Sequence, residues 1–108
     1  KREENDIYLD VPITITEAIL GTKKDIPTIY GNVKLTIPAG SQNDDINRLK
    51  GKGIDKGNGR KGDMFVTLKI LVPKKLSREQ KDLINKLNDT ELEDPIINRF
   101  QDFTKKNR

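Results

Sequence analysis

The hydrophobic period of this chain changes at Pro73, and that change sets its architecture. Upstream, Ile7, Leu9, Val11, Ile13 and Ile15 alternate with Tyr8, Asp10, Pro12, Thr14 and Thr16. Val33, Leu35 and Ile37 alternate with Lys34 and Thr36, and Met64, Val66, Leu68, Ile70 and Val72 form the longest such run. A period of two sends successive side chains to opposite faces, so each run predicts a strand with one buried face. Downstream, Leu83, Ile84 and Leu87 recur at helical spacing, as do Ile96, Phe100 and Phe103 with Ile97 beside them. Such spacing lines one face of a helix. The predicted fold class is therefore mainly β: a small antiparallel or mixed β-sandwich with one short helix, followed by C-terminal helices. Strands do not alternate with long helices, which argues against a doubly wound parallel sheet.

Local signals mark the boundaries. Pro12 has no N–H to give a ladder, so the first strand is an edge or bends there. Thr16 reads as the N-cap of a helix of one or two turns, Glu17 to Leu20, closed by Gly21. Residues 23–29 read as a short strand interrupted by Pro27, Tyr30-Gly31-Asn32 as a turn, and Ile46 to Leu49 as another short strand. Ser77 stands three residues before Gln80, the spacing of a capping box. Residues 88–94 are acidic and polar and read as a hinge. Asp94-Pro95 then starts a second helix, because proline suits the first helical position. Lys105, Lys106 and Arg108 lie at its far end, where cations complement the helix dipole. The expected division is a β-domain over 1–76 and helices over 77–108.

Leu, Ile, Val and Phe make up 30 of the 108 residues. That exceeds the roughly 20% below which a charged chain stays unfolded, so a core can form. It is small, and self-association is a common remedy at this size. With no Cys and no His, disulfides, thiolate zinc sites, cysteine nucleophiles and imidazole chemistry are excluded. No apolar run approaches the ~20 residues of a membrane span, and no signal-like start is present. The chain begins at Lys1 rather than Met, as expected for a piece of a longer protein.

Positive charge is concentrated in one place. Residues 47–62 hold Arg48, Lys50, Lys52, Lys56, Arg60 and Lys61 against Asp55 alone. Within this stretch, residues 57–62 spell G-x-G-x-x-G. A dinucleotide site needs those glycines to open a helix, whereas Asp63 onward is strand-like. The phosphate-loop pattern fails too, because Asp63 stands where lysine is required. Nucleic-acid binding through 48–61 remains the rival reading. It is disfavoured because no aromatic residue lies within 47–62 and only Phe65 is close. A solvated, flexible hairpin loop is the simpler account. Asp44, Asp45 and Asp63 show no spacing that pairs them for acid–base work, and no enzymatic activity is expected.

Several stretches resemble one family in order. Asp6-Ile7-Tyr8-Leu9-Asp10-Val11-Pro12-Ile13 resembles the DLYLEVPI strand of the C-terminal β-domains of DnaJ-type J-domain co-chaperones. Residues 17–21 are similar to the family's EAALG, and 26–42 to its VPTLDGKVKLKIPAGTQ. Residues 48–53 match RLKGKG, 62–66 match GDLYV, and 73–81 match PKKLS followed by QK. The resemblance runs from about residue 3 to residue 88 and points to the second of the family's two C-terminal β-domains, with Arg2 to Asn5 as the tail of the entering strand. The tail from residue 95 is similar to a Phe-rich tail of some bacterial members. The J-domain's His-Pro-Asp and the zinc region's repeated C-x-x-C have no counterpart here.

The resemblance implies a cytoplasmic, non-enzymatic module without cofactor or metal. Its partners would be a second copy of itself and, through the whole parent protein, unfolded polypeptide clients and a DnaK-type ATP-driven chaperone. No membrane partner is implied. The residues expected at the dimer interface are Leu83, Ile84, Leu87, Ile96, Ile97, Phe100 and Phe103. Client-binding residues are not transferred, because the family's best-defined client groove lies in its first β-domain.

Overall fold

The structure, a computed structural model, describes residues 5–57 and 59–106. Arg2 to Glu4, Asn58 of the glycine motif and Arg108 therefore lie outside the described residues. The elements run β1 (Ile7–Thr14), α1 (Ile15–Leu20), β2 (Thr22–Thr28), β3 (Gly31–Ile37), β4 (Ile46–Leu49), β5 (Met64–Leu71), α2 (Arg78–Asn88) and α3 (Pro95–Lys106). They fall into two compact units, Lys1–Pro73 and Lys74–Arg108.

In the first unit the strands form a mixed sheet, ordered β1-β5-β4, and an antiparallel pair, β2-β3. β1 runs parallel to β5, with Ile7 opposite Met64 and Thr14 opposite Leu71. β4 runs antiparallel to β5, with Leu49 opposite Met64. This register brings the apolar alternates of β1 and β5 to one face. Val11, Ile13, Met64, Val66 and Leu68 from that face meet Ile26, Leu35 and Ile37 from the second sheet, joined by Ala18 of α1. The result is a small mainly-β sandwich followed by helices, as its periodicity predicts. Val66 and Leu68 are wholly buried. Leu68→Ala should cost about 3 kcal/mol and lower the urea midpoint without changing the slope of the transition. A cost under ~1 kcal/mol would place Leu68 outside the core.

Pro12 marks an edge. The Ile7 N–H donates to the Asp63 carbonyl at 2.9 Å. Alternate residues of a strand bond the same neighbour, so the odd-numbered main-chain groups of β1 face β5 and the even-numbered ones face outward. Pro12 thus sits where a missing donor removes no ladder bond, and it blunts the exposed edge. On the other side of β5 the ladder continues past β4 into the preceding loop. The Leu68 N–H donates to the Asp45 carbonyl, the Asp44 N–H donates to the Leu68 carbonyl, and the Ile70 N–H donates to Asn43 Oδ1.

Three local expectations need correction. The N-cap of α1 is Thr14, not Thr16. The Glu17 N–H donates to Thr14 Oγ1, and the Thr14 N–H donates to Glu17 Oε1 at 2.9 Å, which closes a capping box. Thr14 is the hydroxyl three residues before Glu17, and that spacing decides between the two threonines. Ile15 accordingly belongs to α1 rather than to β1. β2 is not interrupted at Pro27, which pairs opposite Asn32. β5 ends at Leu71, and Val72 beyond it is exposed rather than inward.

Candidate functional site

Each helix of the second unit is set by its cap. Ser77 has an extended backbone, accepts from the Gln80 N–H at 3.1 Å, and donates its own N–H to Gln80 Oε1 at 2.9 Å. The Ile96 N–H donates to Asp94 Oδ1 at 2.8 Å, while Lys105 and Lys106 occupy the last turn of α3. The caps phase the apolar residues. Leu83, Ile84 and Leu87 form a stripe on α2, and Ile96, Ile97, Phe100 and Phe103 form one on α3. No described residue of either helix is buried. Phe100 and Ile96 are 68% and 72% exposed, and Leu83 56%. Leu76 and Leu92, not expected from the periodicity, add to the exposed apolar surface of this unit.

The second feature is the basic loop between β4 and β5. Its base is hydrogen-bonded rather than a free hairpin tip. The Gly53 N–H donates to the Gly62 carbonyl, the Gly62 N–H to the Ile54 carbonyl, and the Ile54 N–H to the Asn5 carbonyl at 2.7 Å. Asp55 and Lys61 pair through their main chains as an isolated antiparallel β-bridge. The approach of Asn5 requires glycine at two places, since a Cβ on Gly53 or on Gly62 would collide with the Asn5 carbonyl.

Asp63 locks the same base. Its carboxylate accepts from the Gly51 N–H at 2.8 Å and from Arg48, through Nε at 2.7 Å and Nη2 at 2.6 Å. Its own N–H donates to Asp6 Oδ1. The Gly51 N–H and the Arg48 guanidinium hold the Asp63 carboxyl below the usual aspartate range, against an opposing effect of desolvation. A depressed folded value means that the charged form contributes stability above the ordinary value, about 3.9, and loses it as the pH falls. Asp63→Asn should therefore be clearly less stable than the wild type in urea melts at pH 7, with the gap narrowing toward pH 3. A gap that is constant with pH would show that the charge contributes nothing. Asp44 accepts from Lys69 Nζ at 2.6 Å, and Asp45 accepts from the Gln42 N–H. These carboxylates tie down loops and are not paired with one another.

Tyr30, at the β2-β3 turn, also reaches the loop. Its hydroxyl donates to the Gly53 carbonyl at 2.7 Å. Lys61 Nζ lies 4.5 Å and Lys52 Nζ 5.8 Å from the centre of its ring. Sequence reasoning passes over this residue because the contact spans 23 positions. On the outer face of the mixed sheet, Tyr8 stacks on Phe65 with ring centroids 5.4 Å apart.

No described helix is long and apolar enough to cross a membrane. A family model described as DnaJ C terminal domain matches residues 1–73, which contain both sheets and the basic loop. Three curated relatives, each called Chaperone protein DnaJ, match more of the chain. The protein from Erysipelothrix rhusiopathiae is 45% identical over 103 residues, covering 94% of this chain and 28% of the relative. That from Halothermothrix orenii is 47% identical over 87 residues, covering 80% and 23%. That from Brevibacillus choshinensis is 45% identical over 97 residues, covering 88% and 26%. The chain thus spans about a quarter of the length of these relatives. Two small sheets closed over one core, with a glycine-pinned loop between β4 and β5, are what the matched residues build, and the chain belongs to the DnaJ C-terminal domain family.

Proposed function

We propose that this chain is the second C-terminal β-domain and the dimerisation segment of a DnaJ-type co-chaperone, with the domain boundary near residue 76. Leu83, Ile84 and Leu87 on α2, and Ile96, Ile97, Phe100 and Phe103 on α3, make the contact between protomers. The observation that carries this reading is the exposure of all seven in the single chain. Each large apolar side chain fully buried on association contributes about 1.5–3 kcal/mol. Stripes of this size are therefore costly to leave in water.

The role is architectural. Pairing two chains places two client-holding arms at high effective concentration with no new client contact. The parent protein would hold unfolded polypeptides in the cytoplasm and deliver them to a DnaK-type ATP-driven chaperone. This segment supplies the pairing and no catalytic residue. Sedimentation at tens of micromolar should show a dimer, and a strictly monomeric wild type would overturn the assignment. In the parent, loss of pairing should weaken suppression of client aggregation more than it weakens the folding of the β-domain.

A further inference from the structure

The stripes on α2 and α3 leave the basic loop without a role. We infer that the base of this loop, with Tyr30, is a docking surface for an acidic peptide segment of a partner protein.

Three observations support this. First, the cations stand on ordered backbone. The chain around Lys50, Lys52 and Lys61 is held by the Gly53–Gly62, Ile54–Asn5 and Gly51–Asp63 hydrogen bonds. A partner therefore meets a largely preformed charge array, which lowers the ordering cost of binding. Second, Lys52 and Lys61 have no carboxylate partner among the described residues, while Lys50 stands in the field of Asp63. The ion pairs joining described residues involve Lys24, Lys34, Arg48 and Lys69. Two of the three ammonium groups converge on the Tyr30 ring, which attracts each of them but does not neutralise their mutual repulsion. A carboxylate beside both would do so. Third, exposed apolar residues neighbour the cluster along the chain. Ile29 adjoins Tyr30 and is 64% exposed, and Ile54 adjoins Gly53 and is 37% exposed.

Together these features fit an acidic segment that carries an apolar residue. They fit a nucleic-acid strand less well. The aromatic ring inside the cluster is already occupied by two ammonium groups and fixed through its hydroxyl, so it is not an open stacking platform. Lysine ammonium groups also act as point charges that need no planar fork in the partner.

The test uses the full chain and a short fluorescein-labelled peptide in which glutamates flank a central leucine, read by anisotropy. The acidic peptide should bind saturably and weaken steadily as salt rises from about 0.01 M to about 0.15 M. The Lys52→Gln/Lys61→Gln pair should weaken binding about tenfold or more while its thermal melt stays that of the wild type. Tyr30→Leu should weaken it as well. Lys74→Gln/Lys75→Gln, outside the cluster, and Phe100→Asp, on the helix stripe, should leave it unchanged, which separates this surface from the pairing of protomers. The inference is overturned by an absence of binding at low salt, by equal affinity for the glutamine version of the peptide, or by indifference to the loop substitutions. Tighter binding of a labelled oligothymidylate than of the acidic peptide would overturn it in favour of nucleic acid.

Discussion

Gly62→Ala is expected to melt at least about 10 °C below the wild type. An added methyl group at residue 62 has no free volume. It would land on the main-chain carbonyl of Asn5, which itself accepts from the Ile54 N–H. The obstruction is backbone, not the far end of a flexible side chain, so either the loop base or the start of β1 must move. Moving the loop base breaks the Gly53–Gly62 and Gly62–Ile54 hydrogen bonds, and moving Asn5 breaks its bond to Ile54. Overpacking of this kind costs about 1–3 kcal/mol by itself, and lost buried hydrogen bonds add to it. Against a typical total stability of ~5–15 kcal/mol that is a large fraction. Gly57→Ala provides the contrast. Gly57 has a φ of +86° but nothing within 4 Å of its would-be Cβ, so only the conformational cost of about 1 kcal/mol applies. Thermal melts followed by circular dichroism distinguish the two. If the variants melt within ~2 °C of each other, the steric account of Gly62 is wrong.

Phe100→Asp is expected to raise the dimer dissociation constant by at least about thirtyfold. The phenyl ring lies in the middle of the α3 stripe and is 68% exposed in the single chain. Its burial between protomers is worth about 2 kcal/mol before any packing complementarity, which corresponds to roughly thirtyfold in affinity. A carboxylate in the same place must be desolvated without a partner, so aspartate costs more than alanine would. Phe100→Ala serves as the milder companion, and Leu87→Asp on α2 tests whether the second stripe takes part. Sedimentation across a concentration series gives all three constants. Because no residue of α2 or α3 is buried in the described chain, the substitutions should leave the melt of the β-domain unchanged. A shift in that melt, or an unshifted dimer, would remove α3 from the interface.

Much of this architecture can be read from residue order because two physical signals are local. Period-two alternation marks β1, β3 and β5 together with their inward faces. The Ser77–Gln80 and Asp94–Pro95 signatures place the starts of both long helices. Where two local signals compete, the reading slips: Thr14 and Thr16 both precede the α1 run, and only the reciprocal bond with Glu17 separates them. What stays hidden is pairing over distance. Nothing in the alternation of Ile7 to Ile13 states that β1 lies parallel to β5 rather than beside β2. Tyr30 likewise looks like a turn residue until the fold brings Gly53, Lys52 and Lys61 to it. The loop base is legible only in part. Its glycines suggest a flexible tip, whereas Gly53 and Gly62 are required by the close passage of Asn5.

The parallel pairing of β1 with β5 also governs when this domain can fold. Its first described strand pairs with the last one in the sequence, and Asp6 and Asp63 are hydrogen-bonded across 57 positions. Such non-local closure is slow, because the entropy of a long loop is lost before any contact is gained. On the ribosome, the local β2-β3 hairpin can form early, but β1 has no place to dock until Leu71 has emerged. Throughout that interval Ile7, Leu9, Val11 and Ile13 lie in an unfolded, apolar segment prone to aggregate. The nascent chain is, for that time, the kind of polypeptide that chaperones hold.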